Sequence, residues 1–282
     1  MPINFVKKIA YIAIDTDDDG EKYIREKQGN NNYIPRKNAQ LKKHYNLMEN
    51  YEQNDIENYI DGLSDDIPLI CDYLIDTLNL DCDIIATRSS LVDIMLIPYT
   101  NNAFELNLYK ENNIIFIESI YDTMKYDNVM IGINNLNKFR EIITTNEEPN
   151  LQYINKYKVV HENLHLNLFV ICQSECTTKG NVEIKLKPVR LDNKSNNAKL
   201  RLWSQCHLGK NPCCLFAKYD KDYNIKKFEI EKINDLSCGK NIDICYNYLA
   251  KVLYGIYNKL RSGNYATLIR DKNSKRIKIK II

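Results

Sequence analysis

The chain has 282 residues, a formal net charge of +2 and a hydrophobic fraction of 44%. These values are typical of a globular protein and exclude a disordered or fibrous chain. Because the charges nearly balance, any nucleic-acid surface must be a local patch. No apolar run approaches the roughly 20 residues that a membrane-spanning helix needs, and the N-terminus lacks the apolar core of a signal peptide. We therefore expect an intracellular protein whose nine cysteines are free thiols.

The first half of the chain mixes strand and helix patterns. Residues 9–14 predict a short strand, followed by an acidic turn from Asp15 to Asp19 with Gly20. Apolar residues at helical spacing predict two helices over 53–79, the second containing Leu69, Ile70, Tyr73, Leu74 and Leu78. Strands are predicted at 84–87, 92–97, 104–109 and 114–118, and a helix at 129–143.

The second half continues without a strict alternation of strands and helices. A hairpin is predicted from 166–175 and 181–187 around Lys179-Gly180, then a helix at 200–208 and a strand at 213–218. Residues 242–261 predict an amphipathic helix with Leu249, Val252, Leu253, Ile256 and Leu260 on one face, and 276–282 an edge strand. Without repeats or linkers, the pattern favours one α+β domain over residues 1–282, with mixed sheets flanked by helices.

The clearest chemical motif is Val182-Glu183-Ile184-Lys185. In a strand, Glu183 and Lys185 share one face, where a carboxylate can bind a divalent metal and a lysine can steady the attacking water or a phosphate. Taken alone, the motif is better explained by alternating charge on a solvated strand. Two metal alternatives have less support, namely zinc at His161 and His165, four residues apart, or at Cys172, Cys176 and Glu183. Ordinary imidazoles and buried thiols are the preferred interpretation of both.

Several motifs occur in an order that resembles one protein family. They are the block Asp81–Ser89, which contains Arg88 and runs on to Tyr99, the runs Phe104–Leu108 and Ile114–Glu118, the Glu183-x-Lys185 motif, and Arg201–Leu208, which contains Gln205. This order and spacing resemble the DXO family of RNA 5′-end quality-control enzymes over nearly the whole chain. The resemblance implies one domain of two mixed β-sheets flanked by helices. It also implies Mg²⁺- or Mn²⁺-dependent removal of pyrophosphate, unmethylated caps or NAD caps from RNA.

The resemblance also implies that most of the metal-binding acids are replaced. The family's Gly-x-Lys-Phe-Glu block aligns with residues 136–140 and puts Arg140 in place of the glutamate. Its Gly-Glu-x-Asp block aligns with residues 171–174 and puts Cys172 and Ser174 in place of both acids. The predicted hairpin sets Cys176 opposite Glu183, which places Cys172 and Ser174 on the face of Glu183. One carboxylate, a thiol and a hydroxyl make a poor site for Mg²⁺, whereas the more positive surface favours phosphates.

We therefore expect a catalytically inactive DXO-like protein, without a cofactor, that binds RNA or a ribonucleoprotein such as a 5′–3′ exoribonuclease complex or the ribosome. Arg88, Arg140 and Lys185 are the expected phosphate contacts, and Glu183, Lys185 and Gln205 are vestigial catalytic residues. Glu183 is the candidate if any metal binds. Further candidate contacts, equally consistent with ordinary surface charge, are Lys187, Arg190, Lys199 and Arg201. The alternative is an active decapping, pyrophosphohydrolase or deNADding enzyme that uses Mg²⁺ or Mn²⁺ and recruits acids from Asp93, Glu105, Glu118 and Glu141.

Overall fold

The computed structural model describes residues 2–27, 45–47, 66–119, 139, 151–173, 176–177, 181–188, 196–261 and 263–282, with the backbone alone for 66–67, 176–177 and 181–188. Its α-helices are α1 (Asp66–Asp72), α2 (Arg88–Met95), α3 (Asn196–Gly209) and α4 (Ile242–Lys259). A π-helical turn, Tyr73–Thr77, extends α1, and a 3₁₀-helix spans Ile233–Leu236. The strands are β1 (Ile3–Thr16), β2 (Lys22–Lys27), β3 (Ile84–Thr87), β4 (Phe104–Glu111), β5 (Ile114–Ser119), β6 (Leu151–His161), β7 (Leu164–Gln173), β8 (Cys176–Thr177), β9 (Asn181–Pro188), β10 (Cys213–Tyr219), β11 (Ile225–Lys232), β12 (Tyr265–Arg270) and β13 (Lys278–Ile281).

The described strands form two mixed sheets. Nine strands pair in the order β13-β12-β4-β5-β3-β7-β6-β1-β2, and four in the order β11-β10-β9-β8. In the large sheet, β3 is parallel to both β5 and β7, and in the small sheet β9 is parallel to β10. The predicted α+β fold with mixed sheets is therefore confirmed.

The large sheet separates two hydrophobic cores, because successive residues of a strand point to opposite faces. The first core contains Ile84, Tyr153 and Leu168 from the sheet, together with buried residues of α2, α3, α4 and β10. The second core contains Ile85, Ile154 and Phe169 from the other face, covered by α1. Each face of these central strands is thus apolar, as expected for strands buried on both sides.

The predicted strand at 92–97 is wrong, since these residues belong to helix α2 and the turn after it. Thr87 caps the helix, and its Oγ1 accepts a hydrogen bond from the Ser90 amide at 3.4 Å. Five apolar residues flank Asp93, and all five are buried: Leu91, Val92, Ile94, Met95 and Leu96. A short helix that is apolar on most sides resembles a buried strand, because it has no polar face to reveal its period.

The predicted hairpin between 166–175 and 181–187 is also wrong in its main part. Strand β7 lies inside the large sheet, between β3 and β6, and does not pair with β9. The partner of β9 is the two-residue strand β8, in which Cys176 stands opposite Val182 and not Glu183. Cys172 and Glu183 therefore do not share the face of one hairpin as predicted, because they belong to different sheets.

The remaining predicted helices and strands are confirmed where the structure describes them. The strand predicted at 9–14 is part of the longer β1, and the acidic turn that follows it contains Gly20 at φ 85°. The predicted apolar face of α4, including Leu253, is buried, and β13 is an edge strand. The helix at 129–143 and the first helix of 53–79 lie outside the described residues. No helix in the described ranges is long and apolar enough to cross a membrane.

Candidate nucleic-acid interface

Two β-bulges turn an unusual set of β1 side chains toward the first core. The register between β1 and β6 shifts between Phe5 and Lys7 and again between Lys8 and Ala10. Each shift inserts one extra residue, so every third residue of β1 faces the same way. Phe5, Lys8 and Tyr11 stand opposite Tyr157, Asn155 and Tyr153, respectively. The bulges thus bring a lysine to a face whose neighbouring side chains are aromatic, apart from Asn155.

The Lys8 ammonium lies among tyrosines. Its Nζ donates a hydrogen bond to Tyr11 Oη at 2.6 Å, and it lies 4.4 Å from the Tyr11 ring centre and 4.5 Å from that of Tyr153. Both distances are within the range of cation–π attraction. Burial lowers the pKa of Lys8 to about 8, and among the described groups the nearby Cys172 thiol, when ionised, opposes that shift. Lys8 therefore keeps a positive charge at neutral pH in a place that disfavours it.

Side chains from β6 hold the end of helix α3. Tyr153 Oη donates to the Gly209 carbonyl at 3.0 Å, Asn155 Nδ2 donates to the Leu208 carbonyl at 3.0 Å, and Tyr157 Oη donates to the same carbonyl at 2.5 Å. The last carbonyls of a helix have no partner within the helix, and here the alternating Tyr-x-Asn-x-Tyr face of β6 supplies the donors. This clamp fixes the position of α3, which carries Gln205, relative to the large sheet.

Arg88 reaches the same place from the other side. It is the first residue of α2 and is 8% exposed. A Cβ atom on Gly209 would lie 2.6 Å from Tyr153 Oη and 3.1 Å from Arg88 Nη1, so the arginine head lies close to the end of α3. Only glycine leaves room for both groups at this point. We call the set Lys8, Tyr11, Arg88, Tyr153, Cys172 and Gly209 the Tyr153 site.

Further polar groups border the Tyr153 site at the end of α3. Lys210 adopts a left-handed backbone at φ 56°, and its Nζ lies 5.2 Å from the Phe5 ring centre and 5.7 Å from that of Tyr157. Burial, together with the charge of Lys210, lowers the pKa of His207 to about 4, so this imidazole is neutral at physiological pH. The positive charge of this region therefore comes from lysine and arginine and not from histidine.

The donor set of the Tyr153 site does not fit a hard divalent cation. Cys172 pairs with Tyr153 between β6 and β7, and its thiol is fully buried. In the described ranges, no group of three or more His, Cys, Asp and Glu side chains could hold a metal ion. Mg²⁺ and Mn²⁺ prefer several oxygen ligands with negative charge, and a thiol beside a lysine offers neither.

The recruited acids of the alternative lie elsewhere. Asp93 forms an ion pair with Arg201. Glu105 and Glu118 point away from the first core, because their neighbours Leu106 and Ile117 belong to it. Glu141 lies outside the described residues. Glu105 and Glu118 thus do not face the Tyr153 site, and Asp93 is paired with Arg201.

The other predicted site residues are brought near α3 only in part. In register, Glu183 stands beside Cys214 and Lys185 beside Phe216, and these two residues of β10 belong to the first core. Cys214 Sγ lies 3.2 Å from Cys206 Sγ, next to the half-buried Gln205. Lys187 follows on β9, Lys199 is half-buried on α3, and Arg201 is held by Asp93. Arg140, Ser174 and Arg190 lie outside the described residues.

The zinc alternatives gain no support from the described geometry. His161 and His165 lie on the adjacent strands β6 and β7 and not on one helical face. His161 packs against the Tyr254 ring with the ring centres 5.1 Å apart. The helical spacing that suggested a shared zinc therefore does not apply.

Sequence reasoning missed Lys8, Tyr153 and Lys210. The bulges hide Lys8, because strict alternation from the buried Ile12 would assign the even-numbered Lys8 to the second core face. The Tyr153-x-Asn155-x-Tyr157 repeat was available as a signal, since polar-tipped residues that alternate on a buried strand require partners.

Comparison with known proteins supports this architecture. A family model described as RAI1-like PD-(D/E)XK nuclease matches residues 7–132. No curated protein matches the chain in sequence. Scheffersomyces stipitis Rai1 in complex with (3′-NADP)⁺ and calcium ion has a similar structure, with a TM-score of 0.72 and 15% identity over 100% of this chain and 89% of that chain.

Two further solved structures are similar. Candida albicans Rai1 in complex with pU5 and Mn²⁺ gives a TM-score of 0.66 at 12% identity and covers 100% of this chain and 91% of that chain. K. lactis Dxo1 in complex with manganese gives 0.66 at 11% identity with the same coverage. At these identities the structural likeness demonstrates the fold. The family match over residues 7–132 and the shared fold confirm the resemblance of this chain to the DXO family.

Proposed function

We propose that this chain binds the phosphates of single-stranded RNA near its 5′ end at the Tyr153 site and does not hydrolyse them. One observation carries the proposal. Two cations, Arg88 and Lys8, flank Tyr153, whereas the position that the resemblance assigns to a metal-binding glutamate carries the buried thiol of Cys172. Among the described side chains, this set carries positive charge and no carboxylate, which favours an anion over the divalent ion of a metal-dependent hydrolase.

The geometry of Arg88 suits a phosphate. Its guanidinium presents forked donors, and the residue opens helix α2, whose first amide groups carry a partial positive charge. In a protein with a net charge of +2, such a local set is the feature that can attract a polyanion. Phosphate contacts then dominate the affinity and make it sensitive to salt.

The relatives support RNA as the ligand class. Candida albicans Rai1 was solved with pU5, and Scheffersomyces stipitis Rai1 with a dinucleotide. Both of those structures also contain a metal ion, Mn²⁺ or calcium. The donor set of the Tyr153 site differs in this respect, so binding by this chain is expected to be retained in EDTA.

Binding of a fluorescent eight-nucleotide RNA with a 5′-monophosphate tests the proposal. We compare wild type with Arg88→Met, which keeps side-chain volume and removes the charge, and with Arg88→Lys, which keeps the charge and removes the fork. Loss of a charged hydrogen-bond pair costs about 1.5–3 kcal/mol, so Arg88→Met should weaken binding about 10-fold or more. It should also reduce the salt slope by about 0.7 for one lost phosphate contact.

The matched control is Lys280→Met, on edge strand β13. It removes the same single charge, and β13 is four strands away from β3, where Arg88 begins the next helix. At about 4.8 Å per strand, the separation is about 19 Å. If Arg88→Met and Lys280→Met weaken RNA binding equally, binding depends only on overall charge, and the proposal is contradicted. If wild type co-fractionates with native ribosomes or an exoribonuclease complex, and Arg88→Met does so equally, the functional surface lies outside the Tyr153 site.

A further inference from the structure

Two buried thiols are in contact where helix α3 meets strand β10. Cys206 on α3 and Cys214 on β10 are both fully buried, and their Sγ atoms lie 3.2 Å apart. Packed carbon atoms lie about 3.5–4.0 Å apart, and sulfur is larger than carbon. The two sulfurs are therefore closer than hydrophobic packing alone requires. Their separation exceeds a disulfide bond of about 2.05 Å by about 1.2 Å.

The turn between the two cysteines holds them in this position. The Asn211 amide donates a hydrogen bond to the Cys206 carbonyl at 2.9 Å, and the Ile233 amide donates one to the Pro212 carbonyl at 3.1 Å. The fold has thus already brought the ends of this short loop together, which is the entropic cost of closing a disulfide. Joining the two sulfurs becomes a reaction between groups that are already in place.

The same turn lies at the surface. Lys210 and Pro212 are exposed and Cys213 is half-buried, so Cys214 lies one residue beneath a solvent-facing segment. Local opening of surface turns needs less free energy than global unfolding. Hydrogen peroxide is little larger than a water molecule and can enter through such an opening. Cys213 itself points to the opposite face of β10 from Cys214, because side chains alternate along a strand.

We propose that Cys206 and Cys214 are an oxidation site, at which hydrogen peroxide produces a reversible disulfide bond that ties α3 to the small sheet. One thiolate attacks a peroxide oxygen and becomes a sulfenic acid, while the O–O bond breaks and the leaving hydroxide takes up the proton of the thiol. The second thiolate attacks the sulfenic sulfur and displaces hydroxide, which is protonated to water. Two thiols and one peroxide give one disulfide and two waters, so the sulfurs lose two electrons to the peroxide. An excess of a low-molecular-weight thiol reverses the reaction and is itself oxidised to a disulfide.

The bond connects two elements that carry predicted site residues. Gln205 precedes Cys206 on α3, and Cys214 stands beside Glu183 in the register of β9 and β10. In reducing compartments, disulfides are usually transient and often redox-sensing. The oxidised protein should hold α3 more firmly against β10, and formation of the bond does not require RNA.

Mass spectrometry of oxidised protein tests the proposal. The reduced protein is treated with hydrogen peroxide under native conditions, and the remaining thiols are blocked with N-ethylmaleimide in urea. Trypsin cleaves after Arg201, Lys210 and Lys218 and so separates the two cysteines into different peptides. Without reduction, we expect residues 202–210 linked to residues 211–218, with Cys213 carrying the blocking group. Dithiothreitol should remove the link.

The matched control is Cys213→Ala, which removes the neighbouring thiol and should leave the link intact. Cys214→Ala should abolish it. In urea denaturation, oxidised wild type and oxidised Cys213→Ala should unfold at a higher urea concentration than their reduced forms, because a disulfide restricts the unfolded chain. Cys214→Ala should show no such shift.

Three results would overturn the proposal. The first is the absence of the link, or oxidation confined to the half-buried Cys82 and Cys238. The second is a link through Cys213. The third is a bond between Cys206 and Cys214 that lowers the urea midpoint, since sulfurs placed for bonding should not strain the fold. Because the wild-type peptides identify the linked residues directly, the test holds even if Cys214→Ala fails to fold.

Discussion

The close approach of Gly209 to Tyr153 predicts that alanine at position 209 is tolerated better when the tyrosine hydroxyl is absent. In wild type, the added Cβ would lie 2.6 Å from Tyr153 Oη, closer than non-bonded atoms allow. The other near atoms, Asn211 Nδ2 at 2.9 Å and Arg88 Nη1 at 3.1 Å, end flexible side chains that are able to move. The hydroxyl is held by its hydrogen bond to the Gly209 carbonyl and so has less freedom.

The magnitudes follow from these contacts. Overpacking in Gly209→Ala costs about 1–3 kcal/mol, offset by about 1 kcal/mol of helix propensity. Tyr153→Phe leaves a buried carbonyl without its donor and costs about 1–3 kcal/mol. Because the phenylalanine removes the clashing atom, the double variant should be more stable than the sum of the two single changes by about 1 kcal/mol.

Urea denaturation of wild type, both single variants and the double variant gives the four free energies of unfolding. Gly255→Ala in α4 is the matched control, since a Cβ there meets no atom within 4 Å. It should stabilise the protein by about 0.5–1 kcal/mol and add independently to Tyr153→Phe. If Gly209→Ala and Tyr153→Phe add within about 0.5 kcal/mol, the clamp between β6 and α3 is not the contact described.

Two pH-dependent predictions follow from buried groups of the same region. Burial lowers the pKa of His207 from 6.5 to about 4, so between these pH values the unfolded chain binds a proton that the folded protein does not bind. The free energy of unfolding should therefore fall as pH decreases from about 6.5 toward 4. In urea titrations across this range, His207→Gln should lose less stability than wild type. Burial lowers the pKa of Lys8 from 10.5 to about 8, so Lys8→Met should be more stable than wild type at pH 7. The difference in free energy of unfolding between the two proteins should become smaller as pH rises from about 8 to 10.5. A difference that does not change with pH would contradict a desolvated ammonium.

Elements with a clear period were predictable from sequence. Helix α4 has its apolar face at residues such as Leu249, Leu253 and Ile256, and these are buried. The terminal alternation of lysine and isoleucine was correctly assigned to an edge strand. Where local pattern and tertiary environment agree, sequence suffices to place an element.

Elements buried on most sides were not predictable in the same way. Helix α2 has no polar face of the usual width, and β7 is apolar on both faces, so neither reveals its period or its partner. Sequence therefore paired β7 with β9, its next strand of substantial length, whereas its partners β3 and β6 are set by long-range packing.

The candidate site was predictable only where it coincides with a motif. Arg88 was found through the block that resembles the DXO family, and it lies buried at the start of α2; its role in binding stays a prediction. Lys8 was not found, because its orientation depends on two bulges whose register comes from pairing with β6. Such a shift leaves no periodic signal in one strand alone.

The most direct measurement of the central claim follows binding and hydrolysis in one preparation. Wild type is incubated with Mn²⁺ and RNA bearing a 5′-triphosphate, an unmethylated cap or an NAD cap, and both retained RNA and released product are quantified. We expect salt-sensitive binding with no product above a heat-killed control. Product formation that disappears in Lys185→Ala would contradict it and identify the chain as a working 5′-end hydrolase.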